Sequence, residues 1–264
     1  MSCFASFQRA IPFSYNHIEE LERIVSKNKH IGVIVIETMR HQEPTKGFLR
    51  KVRAIADRIG AALIFDEISI GWRLTAGGAH LLYKVHPDIA VFAKAMSNGF
   101  PCAAIIGKRE VMQAAQKSFI SSTYWTDRIG PAAALATIRT LIQKKVPKHL
   151  KRIGGQIGDG WKRLAKKHGL RITVVGPEAL ITFSFEYGTD SAALRTLFTQ
   201  EMLALGFLAG GSVYVSFAHK PPSVQAYLLA VDEVFALLAR AIREGTVKKR
   251  LHGPVAHSGF KRLT

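Results

Sequence analysis

The sequence predicts an α/β fold in which a mostly parallel sheet is covered by helices, followed by a smaller α+β domain. Apolar runs typical of buried parallel strands alternate with helical stripes in the first half of the chain. Beyond Gly169 the pattern changes to short strands separated by helices. The composition agrees, because a chain of 264 residues that is 48% hydrophobic can bury a large core.

Four strands and two helices are predicted before residue 110. The first helix is expected to open at residues 16–19, where Asn-His-Ile-Glu has the spacing of a capping box. A second helix over 47–60 is predicted because its apolar residues recur every three or four positions. The strands are expected at 31–36, 61–65, 89–92 and 102–106.

The second half is predicted to begin with two consecutive helices. One runs from about Ile129 to Lys144, and a longer one is expected over 149–168 despite its interior glycines. We place the domain boundary at Pro147, which gives a larger domain over 1–146 and a smaller one over 147–264. The remaining predicted elements are strands at 171–175, 179–186 and 213–218 and helices near 190–205 and 222–244.

Lys94 closes an apolar strand, which is a costly place for a charged ammonium group. Burial would favour the neutral amine, and the neutral amine is the form that attacks a carbonyl carbon. Lys94 is therefore a candidate Schiff-base residue. The alternative is an ordinary lysine that extends its amine from the strand end to water.

Two carboxylates follow the strand at 61–65, where open α/β sheets bind their ligands. An aspartate behind a pyridine ring keeps the ring nitrogen protonated, and a lysine on the other side of the cofactor binds its aldehyde. Asp66 and Lys94 together therefore indicate a site for pyridoxal 5'-phosphate. The alternative for Asp66 is a capping role in the turn that follows it.

Several motifs in a fixed order resemble one family, the class III (fold-type I) pyridoxal-phosphate-dependent aminotransferases. The resemblance is strongest to the branch that contains glutamate-1-semialdehyde aminomutase and related sugar aminotransferases. It implies the large domain of a fold-type I transferase followed by a smaller α+β domain. The motifs are Ile34–Glu37, Phe65–Arg73, Gly77–His80, Pro87-Asp88, Val91–Pro101, Ala104–Met112 and Ser122–Trp125.

The resemblance also assigns roles to individual residues. It implies that Lys94 holds the cofactor as a Schiff base and that Asp66 is the partner of the pyridine nitrogen. It implies that Ile68 packs on one face of the ring. Thr123 matches the family threonine that reaches the phosphate of the cofactor in the neighbouring subunit, which implies a homodimer. A surface turn is the alternative for Thr123, since Ser121, Ser122 and Thr126 offer hydroxyls nearby.

Two features of the family are not found in this sequence. The family holds the phosphate on a turn of small residues at a helix N-terminus, and it stacks an aromatic residue on the ring. Both should precede Glu37, so we expect a chain that is N-terminally truncated relative to the family and has impaired activity alone. A homodimer or a complement of the missing N-terminal segment would complete the site.

The predicted function is that of an aminotransferase or aminomutase. Its substrate would be a small-molecule amine, an amino acid or an amino sugar, and the two reactions cannot be separated by Lys94 and Asp66. Arg73 and Arg128 are candidates for binding a substrate carboxylate, although structural roles are favoured. The alternative function is a catalytically silent remnant or accessory subunit of such an enzyme.

The net charge of +18 is high for an enzyme of small metabolites. Binding of nucleic acid is disfavoured, because the basic residues fall at helical spacing on a solvated face without interleaved aromatic residues. A basic proteome or an acidic partner segment accounts better for the charge. The basic residues cluster at Lys144, Lys145, Lys148, Lys151, Arg152, Lys162, Arg163, Lys166, Lys167 and Arg171.

The remaining features predict a cytoplasmic protein with no membrane partner and no metal. Two cysteines argue against a disulfide framework, and no apolar run is expected to reach membrane-spanning length. The histidines lack metal-ligand spacing, so His80 is expected at the surface or in a cap. Glu37 is either a structural ion-pair partner or a carboxylate on the substrate side.

Overall fold

A computed structural model describes residues 10–120 and 123–257, which form two compact units. The boundary at Pro147 stays a prediction. The first unit comprises the residues up to Met39, Pro44–Gly71 and Gly77–Thr137, and the second comprises Arg40–Glu43, Trp72–Ala76 and the residues from Ile138 onward.

The first unit is built on a four-stranded sheet with the order β1-β2-β3-β4. The first three strands are parallel, and the fourth is antiparallel to the third. The predicted α/β fold with a mostly parallel sheet is confirmed. The strands are β1 (Val33–Glu37), β2 (Ala62–Asp66), β3 (Ile89–Phe92) and β4 (Ala104–Gly107).

Helix α2 (Phe48–Ile59) covers one face of this sheet. Its apolar stripe, including Val52 and Ile55, packs in one buried cluster with Leu63 of β2. Gly60 ends the helix in the left-handed conformation, and its N–H donates to the carbonyls of the last turn. The predicted helix and strand therefore meet because each places one apolar face toward the other.

Helix α1 (Ile18–Lys27) begins where it was expected, but the predicted capping box is wrong. His17 is the N-cap and makes no capping hydrogen bond through its side chain. Glu20 instead accepts hydrogen bonds from the N–H and hydroxyl of Ser14, and Asn16 Oδ1 accepts one from the Thr45 N–H. The side chain of Asn16, which the local pattern predicted to cap the helix, therefore makes a tertiary hydrogen bond to Thr45 instead.

Among the described residues before 144 there are three more α-helices. Two are single turns, α3 (His80–Tyr83) and α4 (Arg109–Met112), and the third is α5 (Ile129–Gln143).

The second unit contains an antiparallel sheet and long helices. Its last strand is shorter than predicted, because the chain turns at Ser216, whose carbonyl accepts the His219 N–H. The elements are α6 (Val146–His168), β5 (Ile172–Val175), β6 (Leu180–Phe185), α7 (Ser191–Ala204), β7 (Ser212–Tyr214) and α8 (Pro221–Arg243).

Aromatic side chains form the centre of the second unit. The ring of Phe183 in β6 makes edge-on contacts with Trp161 of α6, Phe198 of α7 and Phe235 of α8, with centroids 4.8–5.9 Å apart. Edge-to-face packing at this spacing adds stability beyond the buried area. One strand residue therefore joins three helices.

The interior glycines of α6 allow close packing. A Cβ atom on Gly154 would lie 1.8 Å from the carbonyl oxygen of Glu178, and one on Gly160 would lie 2.5 Å from the Leu228 side chain. Glycine normally weakens a helix interior. Here it lets the helix approach its neighbours within the second unit.

Helix α8 is long and apolar enough, by length and composition alone, to cross a membrane. The expectation that no segment reaches membrane-spanning length is therefore wrong. Core helices of soluble proteins meet the same criterion, and Val231, Phe235 and Leu238 of this helix are fully buried in the second unit. The absence of a membrane partner stays a prediction, and so does the disfavoured binding of nucleic acid.

Candidate active site

Asp66 is the last residue of β2 and lies at the carboxyl end of the three parallel strands. Its register partners are Glu37 in β1 and Val91 in β3. The half-buried carboxylate accepts a hydrogen bond from the Ile68 N–H, with Oδ1 2.9 Å from the nitrogen. This hydrogen bond caps the turn that follows Asp66, as the alternative role for this residue anticipates. It also fixes the position of one carboxylate oxygen.

Glu67 is fully buried below the same turn and accepts four hydrogen bonds. Oε1 accepts from Thr38 Oγ1 at 2.8 Å, from the His80 N–H at 3.0 Å and from His80 Nδ1 at 2.8 Å. Oε2 accepts from the Ala79 N–H at 2.8 Å. A buried carboxylate is tolerated only when it is satisfied in this way.

His80 is buried as the partner of Glu67, so the expected surface or capping role is wrong. Gly78 makes the pairing possible, because a Cβ atom there would lie 2.3 Å from His80 Nδ1 and 2.9 Å from Glu67 Oε1. Gly77-Gly78 is therefore a packing turn. No local signal in the sequence marks this pair, since Glu67 and His80 are thirteen positions apart.

Lys94 follows β3 and begins a single 3₁₀ turn. Its φ angle is +47°, a left-handed conformation that a residue with a side chain rarely adopts. The side chain is exposed, as the alternative of a lysine that extends its amine to water anticipates. Its Nζ donates a hydrogen bond to Ser69 Oγ at 2.8 Å.

The structure brings Asp66 and Lys94 to the same end of the sheet, where the parallel strands have their carboxyl ends. The Lys94 amine contacts Ser69, which lies in the turn that begins at Asp66. Sequence reasoning missed Ser69, although its position three residues after Asp66 in a turn was visible. A carboxylate and an amine therefore stand at the ends of two neighbouring parallel strands.

The other two predicted site residues are Ile68 and Thr123. Ile68 is half-buried in the turn beside Asp66. Thr123 is exposed in a turn over 123–126, as the surface alternative anticipates. Ser121 and Ser122, the competing hydroxyls, lie outside the described residues. The roles of Ile68 and Thr123 stay predictions.

Asp88 is a buried carboxylate at the other end of the sheet. Oδ2 accepts from the Leu63 N–H and from Arg53 Nη1, both at 2.7 Å, and Oδ1 lies 2.7 Å from Lys108 Nζ. Burial alone would raise the pKa of Asp88, but the Leu63 N–H and the two cations outweigh it and lower the pKa to about 2. These contacts hold β2 and β3 together and define a structural ion-pair cluster.

The candidate substrate-binding arginines differ in their surroundings. Arg73 stacks over the ring of Tyr214, 5.2 Å from its centroid, within the second unit. Burial lowers the pKa of the Arg73 guanidinium. Arg128 is exposed. In the described ranges 10–120 and 123–257, no group of three or more His, Cys, Asp or Glu side chains is placed to hold a metal ion.

Solved structures share this fold and define its class. The chain superposes on the FumI protein of Sphingopyxis sp. MTA144 with a TM-score of 0.82 and 22% identity, covering 88% of this chain and 58% of that one. It superposes on an omega-transaminase from Sphaerobacter thermophilus with a TM-score of 0.76 and 22% identity, covering 86% and 56%. The fold is that of the fold-type I transferases.

Sequence comparison identifies the family within this class. The family model for class-III aminotransferases matches residues 8–218, so the chain belongs to the class III aminotransferase family. This confirms the resemblance seen in the sequence. Pyridoxal phosphate, the cofactor implied by the resemblance, is likewise supported by membership of the family.

Curated relatives include both reaction types considered from the sequence. A 3-aminobutyryl-CoA aminotransferase of Cloacimonas acidaminovorans is 32% identical over 90% of this chain and 58% of its own length. A glutamate-1-semialdehyde 2,1-aminomutase of Clostridium perfringens is 33% identical over 65% of this chain and 42% of its own length. The chain thus spans about half the length of these relatives.

Proposed function

We propose that this chain supplies the lysine-bearing part of a cytoplasmic pyridoxal-phosphate-dependent aminotransferase or aminomutase. One observation carries the proposal: the Lys94 amine is held against the turn that follows Asp66, at the carboxyl edge of the parallel strands. When bound there, pyridoxal phosphate supplies an electron sink for negative charge on the carbon next to the substrate amine.

The chemistry of the side chains fits the cofactor. The Asp66 carboxylate would accept a hydrogen bond from the protonated ring nitrogen, and the Lys94 amine would bind the aldehyde carbon. Ile68, next to Asp66, would pack on one ring face. The Thr123 hydroxyl would donate to the phosphate held by the neighbouring subunit of a homodimer. Charge-assisted hydrogen bonds of this kind dominate the binding of charged groups.

Lys94 would also move the proton. Once the substrate amine replaces it, the free amine of Lys94 can take the proton from the substrate Cα and return it to a neighbouring atom as a general base and acid. Asp66 would stay opposite the ring nitrogen through these transfers. The substrate would be a small-molecule amine, an amino acid or an amino sugar.

We further propose that this chain alone has low activity. A homodimer, or a complement of an N-terminal segment, would add the groups that bind phosphate. The proposal is supported by the greater length of the relatives and by β1, where Val33 and Val35 are 49% and 57% exposed on one strand face. Apolar strand faces of this kind are usually covered in α/β proteins.

The proposal is tested by reducing a mixture of the chain and pyridoxal phosphate with borohydride and mapping the modified lysines by peptide mass spectrometry. We expect modification of Lys94 to dominate and to disappear in Lys94→Ala, whereas Lys51→Ala, which removes an exposed lysine of α2, leaves it unchanged. A modification spread evenly over the exposed lysines would contradict the proposal and favour the catalytically silent alternative.

A further inference from the structure

The tip of the Lys94 side chain is hydrogen-bonded although the residue is exposed. A solvated lysine ordinarily keeps the freedom of its four side-chain bonds, and immobilising it costs conformational entropy. Here Nζ donates to the hydroxyl of Ser69, a residue that is only 6% exposed. The exposed amine is therefore attached to a buried acceptor.

Ser69 is held in place by the turn that carries it. The Gly71 N–H donates to the Glu67 carbonyl at 2.8 Å, and the Ile68 N–H donates to Asp66 Oδ1. Gly71 is packed so tightly that a Cβ atom would lie 2.6 Å from the Glu67 carbonyl oxygen and 2.9 Å from the Phe92 ring. The Ser69 hydroxyl therefore has a position set by the same turn as Asp66.

The backbone of Lys94 is fixed as well. Its carbonyl accepts the N–H groups of Ser97 and Asn98, which closes the 3₁₀ turn around the left-handed φ angle. Strained backbone of this kind persists only where neighbouring contacts impose it, and it is common at functional sites. Both ends of the lysine are thus constrained, one by the turn and the other by Ser69.

We propose that Ser69 is a positioning residue that holds the Lys94 amine toward the carboxyl edge of the sheet before the cofactor arrives. This proposal rests on the proposed function, because that function assigns Lys94 its reaction with the cofactor and the substrate. The hydroxyl accepts a hydrogen from the ammonium form and can donate one to the neutral amine, so it keeps the nitrogen in place in both states. Pre-orientation of a reacting group is a large part of its effectiveness.

The test compares the cofactor-free chain with its Ser69→Ala and Ser69→Thr variants. A trace amount of an isotopically labelled acetylating reagent reports the reactivity of every lysine, and Lys51 and Lys144, both exposed, serve as internal references. We expect Ser69→Ala to raise the labelling of Lys94 relative to the references by about three- to tenfold, since the amine is released from a hydrogen bond of ordinary strength. Ser69→Thr keeps the hydroxyl and should behave as the wild type.

A second measurement separates positioning from a merely structural contact. Borohydride reduction with pyridoxal phosphate requires the amine to face the site, so Ser69→Ala should lower the share of modification at Lys94 while raising its acetylation. Unchanged acetylation of Lys94 in Ser69→Ala, or a rise in both readouts, would overturn the proposal. Acetylation requires no cofactor, so this result is distinguishable from a failure of the proposed function.

Discussion

Glu67 Oε1 lies 2.8 Å from His80 Nδ1, and the Glu67 side chain is fully buried. Three further hydrogens, from Thr38, Ala79 and the His80 backbone, point at the same carboxylate. The pair therefore ties the end of β1 and the turn before α3 to the residue that follows Asp66. The candidate site is therefore supported by a buried polar network in which every hydrogen bond is accepted by the Glu67 carboxylate.

Replacing Glu67 by glutamine should destabilise the first unit. The new amide group faces at least one N–H donor, which leaves a buried donor without an acceptor and costs about 1–3 kcal/mol. Urea unfolding measures this loss. Glu22→Gln is the control, because Glu22 pairs with Arg58 on the exposed surface and should cost less than about 1 kcal/mol. Equal effects of the two substitutions would contradict the interpretation.

Asp66→Asn should weaken the binding of pyridoxal phosphate. Loss of the charge-assisted hydrogen bond to the ring nitrogen is expected to reduce affinity by about tenfold or more. The measurement is the concentration of cofactor that gives half-maximal borohydride modification at Lys94. Glu37→Gln is the matched control, because Glu37 is the register partner of Asp66 in β1. A larger effect of Glu37→Gln would assign the ring nitrogen to that residue instead.

Asp88 should make stability depend on pH. Its pKa is lowered from 3.8 to about 2 in the folded chain, so the ionised form stabilises the fold. This stabilisation, roughly 2 kcal/mol at most, is complete above pH 3.8 and is lost as the pH falls through about 2. In urea unfolding, the difference in stability between the wild type and Asp88→Asn should stay constant from neutrality to about pH 4 and shrink as the pH falls from there toward 2.

The control for Asp88 is Asp57→Asn. Asp57 pairs with the same Arg53, but its side chain is 64% exposed, so its removal should change stability by less than about 1 kcal/mol at any pH. A pH-independent difference between wild type and Asp88→Asn would show that the charge of Asp88 does not stabilise the fold.

Gly154→Ala should destabilise the second unit, although alanine favours helices. The new Cβ atom would collide with the Glu178 carbonyl oxygen, and overpacking of this kind costs about 1–3 kcal/mol. The neighbouring Gly155 has open space at its Cβ position, so Gly155→Ala should stabilise the helix by about 0.5–1 kcal/mol. Thermal unfolding of the two variants should shift in opposite directions, and shifts in the same direction would refute the packing argument.

Much of the fold could be predicted because it depends on local patterns. β1 to β4 are short apolar runs, and α2 shows its buried face as a regular stripe. The long helix α6 was also predicted, because its apolar residues keep the helical period across the glycines. Family motifs located Asp66 and Lys94, since both lie at the carboxyl ends of strands, Asp66 as the last residue of β2 and Lys94 two residues beyond β3.

The contacts that sequence reasoning missed are tertiary. Ser69 meets Lys94 across 25 positions, and Glu67 meets His80 across thirteen. The predicted capping box failed for the same reason at Asn16, whose side chain accepts the Thr45 N–H from 29 positions away. Whether Lys94 is buried or exposed could not be decided from the residues next to it in the sequence. The burial of a side chain at a strand end depends on which other parts of the structure pack against that end.

Within the described residues, β1 is bonded to β2 alone, so its other side is an edge. An additional strand from a partner polypeptide could pair there and widen the sheet without touching the carboxyl termini of β2 and β3, where Asp66 and Lys94 stand. Growth of the sheet at β1 would then leave Asp66 and Lys94 in place, and the end of the added strand would bring new groups to the same end of the sheet.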